Sequence, residues 1–507
     1  MMNKTNLNKC VACAALLLLA VPLSAAEYFI APGGSNGGSG AIGSPWGTFD
    51  YAIDQIGPGD TLFVRGGVYD LDERIRIQDA GTENSPIRIW AYQDETPVLD
   101  FDSMTVDWGG SSGRGIQVDE DADWVHLRGL TIQNARDNGV WGGSDHSIYE
   151  RLTTRWNGDS GMQLSGPASH NLILNGDSYE NYDPSKNGEN ADGFAIKFDE
   201  LGPGNVVRGA RAWGNSDDGW DMWESVVGGV LVEDSWSFSN GRILPGFYEK
   251  ELLEDNDLTP GSFNGDGNGF KLGQDSGAHV LNRVVVWDNE ERGIDVNGNG
   301  FGVIVANSTV FDSKRNWQFD EESFETTNQH ILVNNVSYAG SSSDNFDSGV
   351  DSFSNTWDGG VSASAADFLS LDDTIARGPR QADGSLPYSD FLRLAPGSDL
   401  IDAGVNLPTI GLGYSLPFSG AAPDLGAYES GVYGDYNSDG VVDAADFTVW
   451  RDGLGGAYTA ADYDVWVEHF GRTSATPPPS GTQSVPEPTA LLLAVMAAFA
   501  RSRRTYR

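Results

Sequence analysis

The sequence predicts an all-β fold, a single-stranded right-handed parallel β-helix, on three observations. Glycines recur at a near-regular period, valine-rich alternating stretches lie between them, and helical periodicity is almost absent. The glycines stand in Asn138-Gly139-Val140, Ser160-Gly161-Met162, Asp192-Gly193-Phe194, Asp218-Gly219-Trp220, Asn268-Gly269-Phe270 and Arg292-Gly293-Ile294, separated by 22, 32, 26, 50 and 24 residues. A period of 22 to 26 suits one coil of three short strands. The two longer intervals carry insertions, around PSKNGE and from Arg242 to Gly265, which should form loops flanking one face. Between glycines, GVLVEDSWSF, HVLNRVVVW and GVIVANSTVF alternate and are β-branched, as strands with one inward face should be. Asn181, Asn215, Asn240, Asn289 and Asn335 fall at the bends, where asparagine tolerates the left-handed conformation and can stack in ladders.

The 507 residues exceed what one core usually supports, so a large domain with appendages is expected. Residues 1–26 carry two lysines, the apolar run LLLLAVPL and the small residues Ser24, Ala25 and Ala26, the pattern of a secretory signal. Both cysteines, Cys10 and Cys13, fall inside it, so the exported chain has no disulfide and must be stabilised by burial and repetition. The large domain is expected over residues 27–430. Its start, with WGTFDYAIDQI between two strand-like segments, reads as a cap whose short helix covers the open end of the stack. FLRLAPGSDLIDAG through PDLGAYE, from Phe391 to Glu429, is expected to close it with a strand pair.

Residues 431–472 contain GDYNSDGVVDAADF, in which Asp435, Asn437, Asp439, Asp443 and Asp446 occupy positions 1, 3, 5, 9 and 12 of a calcium loop. Gly440 stands at the sharp turn and Val441 offers a carbonyl. Asp replaces the usual Glu at the last position, and the second half, YTAADYDVWVEHFG, lacks a loop of its own. This stretch resembles a degenerate dockerin type I module, which implies calcium and a possible cohesin-like partner. A Pro/Ser/Thr linker over 473–484 leads to residues 485–507, a Pro-Glu-Pro triplet, an apolar run and terminal arginines. That tail resembles a PEP-CTERM sorting signal and implies transient membrane association.

A net charge of −42 excludes nucleic acid and anionic lipid as ready partners, because a polyanion is repelled at long range. An acidic glycan would be repelled as well unless a cation bridged it to the protein. Registered on the glycines, the second residue after each is Ala195, Asp221, Lys271 and Asp295, while its apolar neighbours point inward. Strand alternation places Asp221 and Lys271 on one solvent face in adjacent coils, about 4.8 Å apart. Asp192 precedes one of these strands, and Asp217 with Asp218 precedes the next. Four carboxylates so crowded make sense around a cation, and oxygen ligands without His or Cys select a hard ion, with calcium the natural candidate. Lys197 and Arg292, on or near the same face, are expected to meet sugar carboxylates or to pair with surrounding acids.

NADGFAIK, NSDDGWDMW and GNGFKLG resemble, in order, the core motifs of the polysaccharide lyase family 9 pectate lyases, which have the pectin-lyase-like solenoid. The resemblance implies that Asp192, Asp217, Asp218 and Asp221 bind calcium and that Lys271 is the catalytic base. It implies β-elimination on an acidic polysaccharide, most simply pectate. The insertion FYEKELLEDNDLTPGSFNGDG between Asp221 and Lys271 departs from the pattern and bears on the exact substrate. Two rival readings remain: a metal-independent glycoside hydrolase using paired aspartates, which gives Lys271 no reason to lie in register, and a non-catalytic glycan-binding adhesin.

Overall fold

The computed structural model describes residues 25–472 apart from 199–200, 225–228, 243–262, 275–276, 320–328, 348, 408–417, 419, 432–433, 438–440 and 455–460. The secretory signal with both cysteines, the linker, the sorting tail, most of the long insertion and Asp439 therefore lie outside the described residues. Among the described residues no helix is long and apolar enough to cross a membrane.

Among the described residues the chain winds into a right-handed parallel β-helix of three sheets, with twelve, ten and ten strands. Each complete coil contributes one strand to each sheet. The predicted register holds across the glycine-marked strands: Val140 pairs with Met162, Met162 with Phe194, Phe194 with Trp220, Trp220 with Phe270 and Phe270 with Ile294. These residues fill the interior, and Trp220 and Phe270 stack with centroids 5.1 Å apart.

The glycine repeat has a steric cause. A Cβ on Gly219 would lie 2.1 Å from Ser237 Oγ and 2.7 Å from Asn240 Nδ2. Those atoms belong to a polar ladder against which each coil turns into this sheet. Asn157, Asn181, Asn215, Asn240 and Asn289 hand one amide hydrogen bond to the next, Nδ2 to Oδ1, at 2.9–3.0 Å. The left-handed backbone is taken by the residue before each asparagine, Trp156, Glu180, Gly214, Ser239 and Asp288, and not by the ladder residue itself. Asn335 belongs to a separate ladder, accepting from Ser308 N and donating its own N–H to Asn355.

The solenoid begins earlier than the glycine repeat. Strand Glu27–Ile30 is already the first of the twelve-stranded sheet, and strands Ile75–Ile77 and Ile116–Val118 precede Val140–Gly142 in the sheet that follows the Asn ladder. Gly115 occupies the place of Gly139 there, in Arg114-Gly115-Ile116, the same tripeptide as Arg292-Gly293-Ile294. Helix α1 (Phe49–Gln55) caps the first coil, burying Phe49, Ala52 and Ile53.

Among the described residues the expected closing strand pair does not form. Residues 368–407 and 420–425 run along the outside of one flank, joined to each other by single bridges such as Phe368 with Leu394. Phe368, Phe391, Leu392, Leu394 and Leu400 bury there on Trp236, Phe238 and Trp287, because those outward aromatics offer a larger apolar surface than the edge of one coil. Beyond this strap, helices α2 (Ala444–Gly453) and α3 (Ala461–His469) pack through Phe447, Trp450, Tyr463 and Trp466.

Candidate active site

The site lies on the solvent face of the ten-stranded sheet that follows the Asn ladder, where strands Phe194–Ile196, Trp220–Asp221, Phe270–Lys271 and Arg292–Asp295 stack in that order. Asp221 pairs in register with Lys271, and Lys271 with Asp295. Just upstream of the strands, Asp192, Asp217 and Asp218 each turn an oxygen into one space, the three atoms within 4.8 Å of one another. Backbone amides hold them: Asp192 Oδ1 accepts from Asp218 N, Asp217 from Asn190 N and Asp266 N, and Asp218 Oδ1 from Asn268 N at 2.7 Å.

Asp218 Oδ2 is buried and accepts no hydrogen bond, although the Lys271 ammonium stands 3.4 Å away. Burial first, then the neighbouring carboxylates, lift these acids: Asp192 rises to about 6, Asp217 to about 7, and Asp218 well above the usual carboxylate range. An all-oxygen set with an orphaned buried lone pair and protonation held unfavourably high fits a hard divalent cation such as calcium.

Asp221 stands beside this convergence. Its Oδ1 accepts from Trp223 N at 3.0 Å and its Oδ2 from Lys197 Nζ at 2.7 Å. Burial would raise it, but Lys197 and Lys271 hold it below its ordinary value. Of the two roles expected for Lys197, pairing with the surrounding acids is the one seen. Lys197 is 6 % exposed, and its ammonium is spent on Asp192, at 3.0 Å, and on Asp221. Desolvation is strong enough here that the lysine seeks carboxylates and not water.

Lys271 keeps partial access to solvent and donates to Asp266 Oδ2 at 2.7 Å. Burial pulls its pKa down, but Asp218, Asp221, Asp217 and Asp266 together drive it far above the ordinary value. Arg292 is a third exposed and pairs with Asp295 at 3.1 Å. Two of these acids were not assigned a role in the sequence. Asp266 ends an insertion whose path has no register, whereas Asp295 sits at the same position of its strand as Asp221 and could have been found. Asp159, two coils before Asp221, is a third; burial and then Asp137 raise it to about 8. Trp220 is wholly interior, and Trp223 packs at the rim against Phe198.

The family description "Pel9A-like, right handed beta helix region" matches residues 28–335. The chain belongs to that family. It is 36 % identical to "Pectate lyase L" of Dickeya chrysanthemi over 411 residues, covering 79 % of this chain and 90 % of the relative. It is 32 % identical to "Pectate lyase PEL9" of Emericella nidulans, over 74 % of this chain and 94 % of that one. The solved pectate lyase Pel9A superposes with a TM-score of 0.71 at 34 % identity, covering 80 % of this chain and 96 % of the other. As a member of this family the protein is a polysaccharide lyase.

In the C-terminal module, Asp446 is fully buried and accepts from Asn437 N and Asp443 N, while Asp443 caps α2 through Ala445 N. Asp435 is largely buried and Val441 about a third exposed. Of the six loop positions expected to bind calcium, Asp439 lies outside the described residues.

Proposed function

We propose that the protein is a secreted, calcium-dependent lyase that cleaves pectate by β-elimination, with Lys271 as the base. The observation that carries this reading is the register of Lys271 with Asp221, one coil from the convergence of Asp192, Asp217 and Asp218. Asp192, Asp217 and Asp218 would hold the ion, with Asp221 alongside. Calcium, when bound, supplies positive charge that stabilises the carboxylate-conjugated carbanion of a uronate.

Lys271 takes the proton from C5. The C5–H electron pair becomes the C4–C5 double bond, and the bond from C4 to the glycosidic oxygen breaks. As a base the lysine must be neutral, and the uncompensated carboxylates around it oppose that. Arg292, on the next coil, is available for the carboxylate of a neighbouring sugar. A hydrolase on the same fold would leave the lysine without work. Export rests on the sequence of residues 1–26, transient membrane retention on residues 485–507, and calcium binding by the small module, with a cohesin-like partner, on the spacing from Asp435 to Asp446.

The test is to incubate the mature protein with polygalacturonate and follow ultraviolet absorbance of the unsaturated product, with and without chelator. Absorbance should rise with calcium and stop on chelation. New reducing ends without that absorbance would overturn the lyase reading for this substrate.

A further inference from the structure

We propose that Lys197 is a resident counter-ion of the carboxylate cluster, a positioning residue that holds the cluster together without metal and weakens its grip on calcium. The inference rests on the calcium reading above and deepens it. Lys197 follows strand Phe194–Ile196, four residues after Gly193. The equivalent places on neighbouring coils hold Ser165, Trp223 and Gly273, so a cation here is particular to this coil.

Ala195 lies opposite Asp221 in the ladder, and its single methyl leaves the space over which the lysine chain folds back. The ammonium then bridges Asp192 Oδ2 at 3.0 Å and Asp221 Oδ2 at 2.7 Å. The ring of Phe198, whose φ of 87° is unusual for a side chain of that size, lies with its centroid 5.8 Å from Nζ.

Two consequences follow from this placement. With Ser160 Oγ also on Asp192 Oδ2, at 3.1 Å, that oxygen is shared between two donors, while Oδ1 accepts from Asp218 N. Asp221 meanwhile has its oxygens engaged by Lys197 and by Trp223 N, and it stands outside the three-carboxylate convergence. Calcium affinity follows the charge count of its ligands, and a fixed cation between two of them subtracts one unit. The same cation relieves the repulsion that would open an empty cluster.

Lys197→Met tests this by calcium titration calorimetry on the chelated protein, alongside thermal unfolding with and without calcium. The variant should bind calcium at least about tenfold more tightly than the parent. Its melting temperature should drop in chelator and recover substantially in calcium. Unchanged or weaker calcium binding, an equal loss of stability in both conditions, or failure to fold at any calcium concentration would overturn the proposal, leaving Lys197 a plain structural ion pair. If the parent itself binds no calcium, the calcium reading falls and this inference with it. A parent that binds and a variant that binds no better sinks the inference alone.

Discussion

Asp177 and Asp192 are both largely withdrawn from water and lie on the same turn of the solenoid, yet their surroundings treat them in opposite ways. On the flank, Asp177 pairs in register with Arg211, and the strap brings Arg380 to its other side, at 2.8 and 2.7 Å. Burial would raise its pKa, but Arg211 and Arg380 hold it below the ordinary value. Both guanidiniums also cap carbonyls, Arg380 those of Gly176 and Gly209 and Arg211 that of Gly378. Beside them Tyr179, Trp213, Phe238 and Trp287 stack in one column. On the site face, Asp192 shares one lysine with Asp221 and is lifted to about 6. The flank resolves its charges and the site leaves them unresolved, so one coil carries stability on one side and chemical potential on the other.

The largest break in this comparison is chemical. Lys271→Ala should lower kcat on polygalacturonate by about a thousandfold, the range lost with a general base, while calcium is still bound, and more tightly, because the ammonium 3.4 Å from Asp218 no longer subtracts its charge. Stopped assays of unsaturated product at saturating calcium measure it. A loss under tenfold would remove Lys271 from the role of base.

Removing a partner on the flank should do the reverse. Arg380→Ala leaves Asp177 buried with one cation and detaches the strap, and should cost about 3 kcal/mol in denaturant unfolding with kcat/KM within about twofold. Equal stability would mean that the strap is held by its apolar contacts alone.

How much of this was legible follows from the range of the interactions. The glycine period reports a contact between adjacent coils, so the register of Asp221, Lys271 and Asp295 could be read from the chain. Alternation fails for Lys197, because the strand ends at Ile196 and two carboxylates, not the pleat, decide where the side chain goes. The strap could not be read, since Arg380 meets partners 171 to 204 residues back and no local pattern encodes that distance. The earliest coils were only partly marked: Arg114-Gly115-Ile116 has the form of Arg292-Gly293-Ile294, but Ile75 in the coil before follows Arg74 with no glycine.

The pH dependence of calcium stabilisation sharpens the contrast. Folding raises Asp192 and Asp217 to about 6 and about 7 from an ordinary 3.8. In chelator the folded chain therefore binds more protons than the unfolded chain between those limits, and stability falls as pH rises through them. His279 and His330, lowered by burial to about 3 and about 4, act oppositely, because the unfolded chain binds more protons below about 6.5. Their contribution is common to both conditions and cancels in the difference. The gain in melting temperature on adding calcium should be small near pH 5 and grow by several degrees toward pH 8. A gain independent of pH would mean that the site carboxylates are already ionised in the empty protein.

The smallest effect is expected on the third side of the same coils. Arg208 and Glu233 pair in adjacent strands at 2.6 Å, and the arginine is about half exposed. Water already solvates the pair and salt screens it, so Arg208→Ala should change unfolding free energy by at most about 1 kcal/mol and activity not at all. The comparison of Asp177 with Asp192 attributes their difference to what surrounds a charge once water is excluded. A loss at Arg208 as large as that at Arg380 would show instead that any cross-coil ion pair holds the stack, whatever its burial.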